Sequence, residues 1–517
     1  MNEQQPKTIA KADLTGIRRG IEKESLRARP NGHLALTPHP AALGSALTHP
    51  HITTDYSESQ VELITGVHGG HAGVEACLAE LTEVHQGVYK VMQSLACGQD
   101  DGERLWVGSM PCELPTDETI PLGRYGKSNV GRSKSVYRMG LGQRYGRRMQ
   151  TISGIHYNWS MPGVSSEQYF ALIRNFRRHS FLLLYLFGAS PALSSSFVEG
   201  REHRLQRFGD HSLYLPHATS LRMGRLGYQS DAQSALAVSY NCLSSYADSL
   251  QEALTRPYAP YEAIGVRNPG GDYNQLSTSL LQIENEFYGT IRPKRVVKAG
   301  ERPLHALRER GVEYVEVRCM DLDPFMPVGI NAQTARFLDV FLLHCLLTDS
   351  PADTAAEIAA LGENQHLVAE HGREPGLRLL DAAAPGGSRL LSDWGTELLD
   401  QCAPMAALLD EAQGSQDHAE ALAAARRTLA DPDSTPSARV LSMMASDFDN
   451  RYVDFMCQQS EQTRQLILGL PYSEAMAQKF AAQARDSVAA QQAIEAADLL
   501  PFDAYLQQYM AAEQIRV

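Results

Sequence analysis

The chain has 517 residues, 43% hydrophobic and 21% charged, with a net charge of −13. That is globular composition with material for a large core, and the negative balance argues against a general nucleic-acid binder. The eight cysteines (77, 97, 112, 242, 319, 345, 402 and 457) include no C-x-x-C pair, which argues against a zinc site or a disulfide framework and for free thiols in a reducing cytoplasm. The start of the chain lacks the apolar stretch of a signal peptide. The most apolar runs, 181–187 and 341–347, fall well short of the roughly 20 residues that span a bilayer.

Residues 17–27 read as a strand, closed by a turn at Pro30-Asn31-Gly32. Successive side chains of a strand point to opposite faces, so Glu22 and Glu24 share one face. Thr53-Thr54-Asp55-Tyr56 and the alternating stretch 60–65, which carries Glu62, follow. Val74, Cys77, Leu81, Val84 and Val88 recur at helical spacing and predict a helix over 74–95. Residues 100–135 are rich in Gly, Pro and Ser and read as an irregular functional loop. A helix over 136–148 leads into a strand over 151–160, where His156 and Asn158 alternate with Ile155, Tyr157 and Trp159. One helix is expected over 167–188, broken by Gly188 and Pro191. Strands are expected over 276–288 and 312–320, separated by a basic loop from Arg292 to Arg295. After about residue 331 helix formers dominate, and Thr435 and Pro436 read as an N-cap and first helical residue. The expected class is α+β: a catalytic core over 1–335 and a helical region over 336–517 packed on it, or the two as a single domain.

Glu22, Glu24, Asp55, Glu62 and Glu316, joined by His156, stand out. Carboxylates crowded on one sheet surface need cations, which points to Mg²⁺ or Mn²⁺ and to phosphoryl chemistry. Alone, Glu316 and Arg318 fit a solvated sheet face equally well, and His156 fits a structural histidine better than a ligand. Arg292, Lys294 and Arg295 fit either a solvated turn or the phosphates of a nucleotide. Glu284 and Glu286 either join the metal network or are exposed. With neither a Walker A sequence nor a Rossmann fingerprint, ATP would lie on a sheet and metals rather than on a P-loop.

Several stretches together carry a resemblance: Gly20-Ile-Glu-Lys-Glu-Ser-Leu-Arg27, Leu43–His49, Ile52–Asp55, Met149–Asn158, Leu186–Pro191, Ala218–Arg222, Leu281–Glu286, Ile291–Arg295 and Glu313–Arg318. They run in order across about residues 15–330 and resemble the glutamate–cysteine ligase family of proteobacterial type. The resemblance implies a glutamine-synthetase-like fold, a curved and mainly antiparallel sheet with helices behind it. It implies ATP-dependent activation of L-glutamate as γ-glutamyl phosphate, followed by attack of the L-cysteine amine, the first step of glutathione synthesis, with glutathione as a feedback inhibitor. It carries metal roles to Glu22, Glu24, Asp55, Glu62, His156 and Glu316. It places glutamate at Ile152, Asn158, Arg222 and Arg318, the two arginines being catalytic. Cysteine falls to Tyr56, Ser59, Tyr137, Leu141, Gln150, Tyr228 and Tyr288. Tyr56 and Ser59 stand where the family carries phenylalanine and alanine, which would add hydroxyls to the thiol pocket. A γ-glutamyl ligase for another acceptor, and a non-catalytic relative, are the alternatives.

Overall fold

The computed structural model describes residues 11–96, 102–227, 232, 236–298 and 300–515. The strands are β1 Arg18–Ala28, β2 Ile52–Thr54, β3 Gln60–Ile64, β4 His68–Gly69, β5 Arg104–Leu105, β6 Ile155–Ser160, β7 Ala192–Ser194, β8 Gln206–Gly209, β9 Ser212–Tyr214, β10 Ile291–Lys294, β11 Tyr314–Met320, β12 Arg378–Leu380 and β13 Ser388–Leu390. The main sheet runs β10-β11-β6-β1-β3-β2, with β4 and β5 also on β1. Every pairing in it is antiparallel.

Alternation decides which face is buried. Ile21, Val61, Leu63, Ile155, Tyr157, Trp159, Val315 and Val317 point to one side, where the helices Gly73–Leu95, Ser166–His179 and Phe181–Phe187 cover them and the helix Ala332–Leu347 packs against the first two. The other side carries the acidic positions. One hydrophobic cluster reaches from Leu14 to Ile515, so the helices after residue 331 share the core of the sheet. Arg19 of β1 reaches from the buried face to Asp339 of the helix Ala332–Leu347 at 2.7 Å, and Tyr157 donates to the other oxygen of that carboxylate at 2.9 Å.

Several elements depart from the periodicity reading. Residues 276–288 form no strand. They follow an irregular path with a 3-10 turn at Glu284–Glu286. The Glu286 carboxylate accepts from the Gln282 backbone N–H at 2.7 Å, so this segment satisfies polar backbone without a ladder. The basic loop is instead the edge strand β10, and the edge position tolerates Pro293. The helix expected from 136 begins at Asn129, capped by Ser128, and ends at Tyr145. The single helix over 167–188 is two, Ser166–His179 and Phe181–Phe187. Ser180 between them keeps helical dihedrals, so the interruption is one residue long. A hairpin, β12–β13, interrupts the helical region. Thr435 caps its helix as expected, accepting from the Ala438 N–H. Among the described residues no helix is long and apolar enough to cross a membrane.

Asp339→Ala strands the buried Arg19 guanidinium. It is expected to destabilise the protein by roughly 3–5 kcal/mol, the range for a broken buried pair, read as a lowered urea midpoint. An unchanged midpoint would mean that this pair does not tie the helix to the sheet.

Candidate active site

The strand register assembles the acidic positions. Glu22 lies opposite His156 across β1 and β6, Glu316 opposite Asn158 across β11 and β6, and Glu24 opposite Glu62 across β1 and β3. Ligand atoms of Glu22, His156 and Glu316 all fall within 4.8 Å of one another. His156 Nδ1 is 3.4 Å from Glu22 and 4.0 Å from Glu316, and its Nε2 is 3.6 Å from Glu24. Together with Asp55 and Glu62 these groups line one cavity of about 570 Å³.

The electrostatics of the group fit bound cations. Burial, then Asp55, pushes the Glu24 carboxyl up to about 8. Burial, then Glu22, Asp55 and Glu24, raises Glu62 well above the carboxylate range, and it has no ion-pair partner among the described residues. Burial and the Arg318 charge keep His156 neutral, the form that ligates metals. Glu316 is held far below the usual range because Lys294 at 3.2 Å and Arg318 at 3.1 Å outweigh its burial. For Glu22, burial is the largest single effect and raises it, but the interactions with His156 and Lys294 together outweigh burial and the Glu316 charge, so it too stays ionised. This donor set of carboxylate oxygens and one imidazole nitrogen suits Mg²⁺ or Mn²⁺.

The expected substrate residues divide. Tyr56, Tyr137, Leu141, Gln150, Tyr288, Arg292, Lys294 and Arg318 line the same cavity. Gln150 donates to the Tyr288 hydroxyl at 2.9 Å, whereas the buried Tyr56 hydroxyl has no partner among the described residues. Arg292 is largely engaged, donating to the carbonyls of Asn285 and Phe287. Arg222 lies buried behind the site, donating to the Arg318 carbonyl at 2.7 Å with Asp321 at 3.7 Å. A side chain on Gly154 would run into its guanidinium, which explains the glycine there.

Besides Arg222, four residues do not reach the cavity as expected. Ser59 points into the core, where its hydroxyl donates to the Ala35 carbonyl, so it adds no hydroxyl to a thiol pocket. Ile152 is fully buried and contributes its carbonyl to Gln60 at 2.9 Å. Arg295 turns away from the site to the carbonyls of Arg310 and Gly311, at the end of the helix Pro303–Arg310. Asn158 donates to Glu22 at 2.8 Å and opens onto a second cavity of about 440 Å³, with Gly20 and Tyr314, where β1 begins. Tyr228 lies outside the described residues. Glu284 and Glu286 are neither metal groups nor exposed; they pair with Arg302 at 2.7 Å and Arg144 at 2.8 Å.

Sequence reasoning missed Lys134 and Arg138, which line the cavity from the helix Asn129–Tyr145. Val130, Lys134, Tyr137, Arg138 and Leu141 follow helical spacing, but the Gly- and Ser-rich surroundings hid the first turns. It also missed Tyr505 and Tyr509, for which the sequence carries no local signal.

A family model described as glutamate-cysteine ligase matches residues 4–368. A glutamate–cysteine ligase of Azotobacter vinelandii is 49% identical over 516 residues, covering 96% of this chain and 94% of that protein. One from Alcanivorax borkumensis is 48% identical and covers 97% of each. The crystal structure of a glutamate–cysteine ligase from Francisella tularensis in complex with AMP superposes with a TM-score of 0.88 at 37% identity, covering 96% of this chain and 98% of that one. A bifunctional glutathione synthetase from Pasteurella multocida, 24% identical with a TM-score of 0.68 over 92% of this chain and 57% of its own, shares the fold.

Millimolar Mg²⁺ or Mn²⁺ is expected to raise the thermal midpoint, by mass action on the folded state. Glu22→Gln and Glu316→Gln should stay folded and lose most of that shift. Equal shifts in wild type and both variants, read by differential scanning fluorimetry, would remove these residues from the metal set.

Proposed function

The chain belongs to the glutamate–cysteine ligase family, and from that membership we propose how its own residues carry out the family's reaction. The enzyme joins the γ-carboxylate of L-glutamate to the amino group of L-cysteine through γ-glutamyl phosphate, releasing ADP and phosphate. The observation that carries the residue assignment is the Glu22–His156–Glu316 group, flanked by Lys294 and Arg318 in one cavity.

A carboxylate is a poor acyl donor, so phosphate must first become its leaving group. That step brings two anions together, which requires positive charge fixed in place. Glu22, Glu24, Asp55, Glu62, His156 and Glu316 would hold Mg²⁺ or Mn²⁺, which when bound neutralises phosphate and carboxylate oxygens. Lys294 and Arg318 add fixed cationic donors beside Glu316. Arg318 engages Glu316 through one nitrogen, leaving guanidinium donors for the glutamate carboxylate or the phosphoryl oxygens. Arg222 steadies that strand end through the Arg318 carbonyl.

The substrates divide along the sheet. The phosphates lie at the Glu22–His156–Glu316 group, and the nucleoside extends over Gly20, Asn158 and Tyr314 in the adjoining cavity. Asn158 therefore serves the nucleotide in this reading. The amino acids take the opposite end, where Tyr56, Tyr137, Leu141, Gln150 and Tyr288 make a pocket for a small apolar thiol side chain. The unpartnered Tyr56 hydroxyl in that wall favours an acceptor with a polarisable or hydrogen-bonding group.

ADP release is expected to require glutamate and cysteine together; no release above background with both present would overturn the reading. Arg318→Lys is expected to raise the glutamate KM roughly tenfold or more, since an ammonium cannot replace the planar fork. An unchanged KM would reject that role.

A further inference from the structure

The ends of a chain are usually poorly ordered unless something ties them down. Here the last helix, Phe502–Met510, is tied from three directions at the mouth of the substrate cavity. From the helix Asn129–Tyr145, Asn129 donates to the Leu500 carbonyl at 2.9 Å and Arg132 lies over the Phe502 ring at 4.1 Å. From the segment before Arg302, Glu284 holds the Arg302 guanidinium, which donates to the Tyr509 carbonyl at 3.1 Å and sits 5.0 Å from the Tyr509 ring. From the loop near Arg267, both Arg267 and the Tyr273 hydroxyl reach Asp503 at 2.6 Å. The preceding helix Glu474–Ala497 is tied to the loop before the helix Asn129–Tyr145, where Glu495 accepts from the Lys127 backbone N–H at 2.8 Å.

The terminal helix packs on the wall of the cavity and also lines it, with Tyr505 touching both the buried cluster and the cavity. Phe502 and Leu506, four residues apart, are buried in one small cluster with Tyr56, Tyr137 and Leu141. Tyr505 and Tyr509, also four apart, are half-buried and line the cavity that holds Glu22 and Glu316. Their rings lie parallel, 7° between planes and 5.9 Å between centroids. A ring with a polar tip on a partly wet wall suits a small zwitterion, which presents both an apolar side chain and charges.

We infer that the terminal helix is a structural wall of the amino-acid end of the active site, and that Tyr505 and Tyr509 bind and position the acceptor amino acid. The inference rests on the assignment of Tyr56, Tyr137 and Leu141 to the acceptor, because the buried face of the helix packs on those residues. It gives the segment beyond the family match, 369–517, a direct part in the reaction.

Steady-state kinetics of the full-length enzyme test it. Tyr505→Ala and Tyr509→Ala are each expected to raise the cysteine KM about fivefold, the loss of one aromatic contact, with the ATP KM within about twofold of wild type. Tyr505→Phe and Tyr509→Phe, which keep the ring, should restore most of the affinity. An unchanged cysteine KM, or a rise confined to ATP, overturns the inference. Hydrogen–deuterium exchange on the wild-type enzyme gives a second reading that needs no variant. Glutamate, cysteine and a non-hydrolysable ATP analogue are expected to slow exchange across 502–510 relative to the analogue alone; equal exchange overturns the inference. Wild-type ADP release that fails to depend on cysteine would instead sink the functional reading on which it stands.

Discussion

Like charges facing one another over a few ångströms set the terms for this structure. Glu22, Glu24, Asp55 and Glu62 come from two strands and a turn, yet they meet on one side of one sheet. Lys294 and Arg318 pair with Glu316, and Glu62 has no ion-pair partner among the described residues. Inside a protein such a cluster is costly, and two outcomes relieve it: protons on some carboxyls or cations among them. The raised Glu24 and Glu62 show the first outcome in the protein alone. Divalent metal ions would supply the second, and with them the charge that phosphoryl transfer needs.

The sheet delivers this by register. Shifting β6 by one residue against β1 would turn His156 into the core and Tyr157 into the cavity. The buried face holds the register, because Ile155, Tyr157 and Trp159 pack where only one alignment fits. The Arg19–Asp339 pair fixes the helix behind the sheet to the strand that carries Glu22 and Glu24. Packing energy on one face thus maintains an unfavourable charge arrangement on the other.

The acidic set was legible in the sequence because strand alternation is a local signal with a period of two. Glu22 and Glu24, or His156 and Asn158, announce their shared face without tertiary information. Legibility failed where the outcome depends on partners distant in sequence. Nothing near Arg295 says that it will turn to the carbonyls ending the helix Pro303–Arg310, and nothing near Ser59 says that Ala35 will take its hydroxyl. Glu284 and Glu286 looked like strand residues, but Arg302 and Arg144 draw them into buried pairs that bend the segment. The terminal tyrosines are the extreme case: they reach the cavity only because helices hundreds of residues earlier hold them there.

The most direct test of the central claim is diffraction from crystals of the enzyme soaked with Mn²⁺ and an ATP analogue, recorded for anomalous scattering from manganese. The account requires manganese peaks within direct ligand distance of Glu22, His156 and Glu316, with the analogue's phosphates on the same ions. A nucleotide ordered in the cavity with no anomalous peak among those side chains would contradict it.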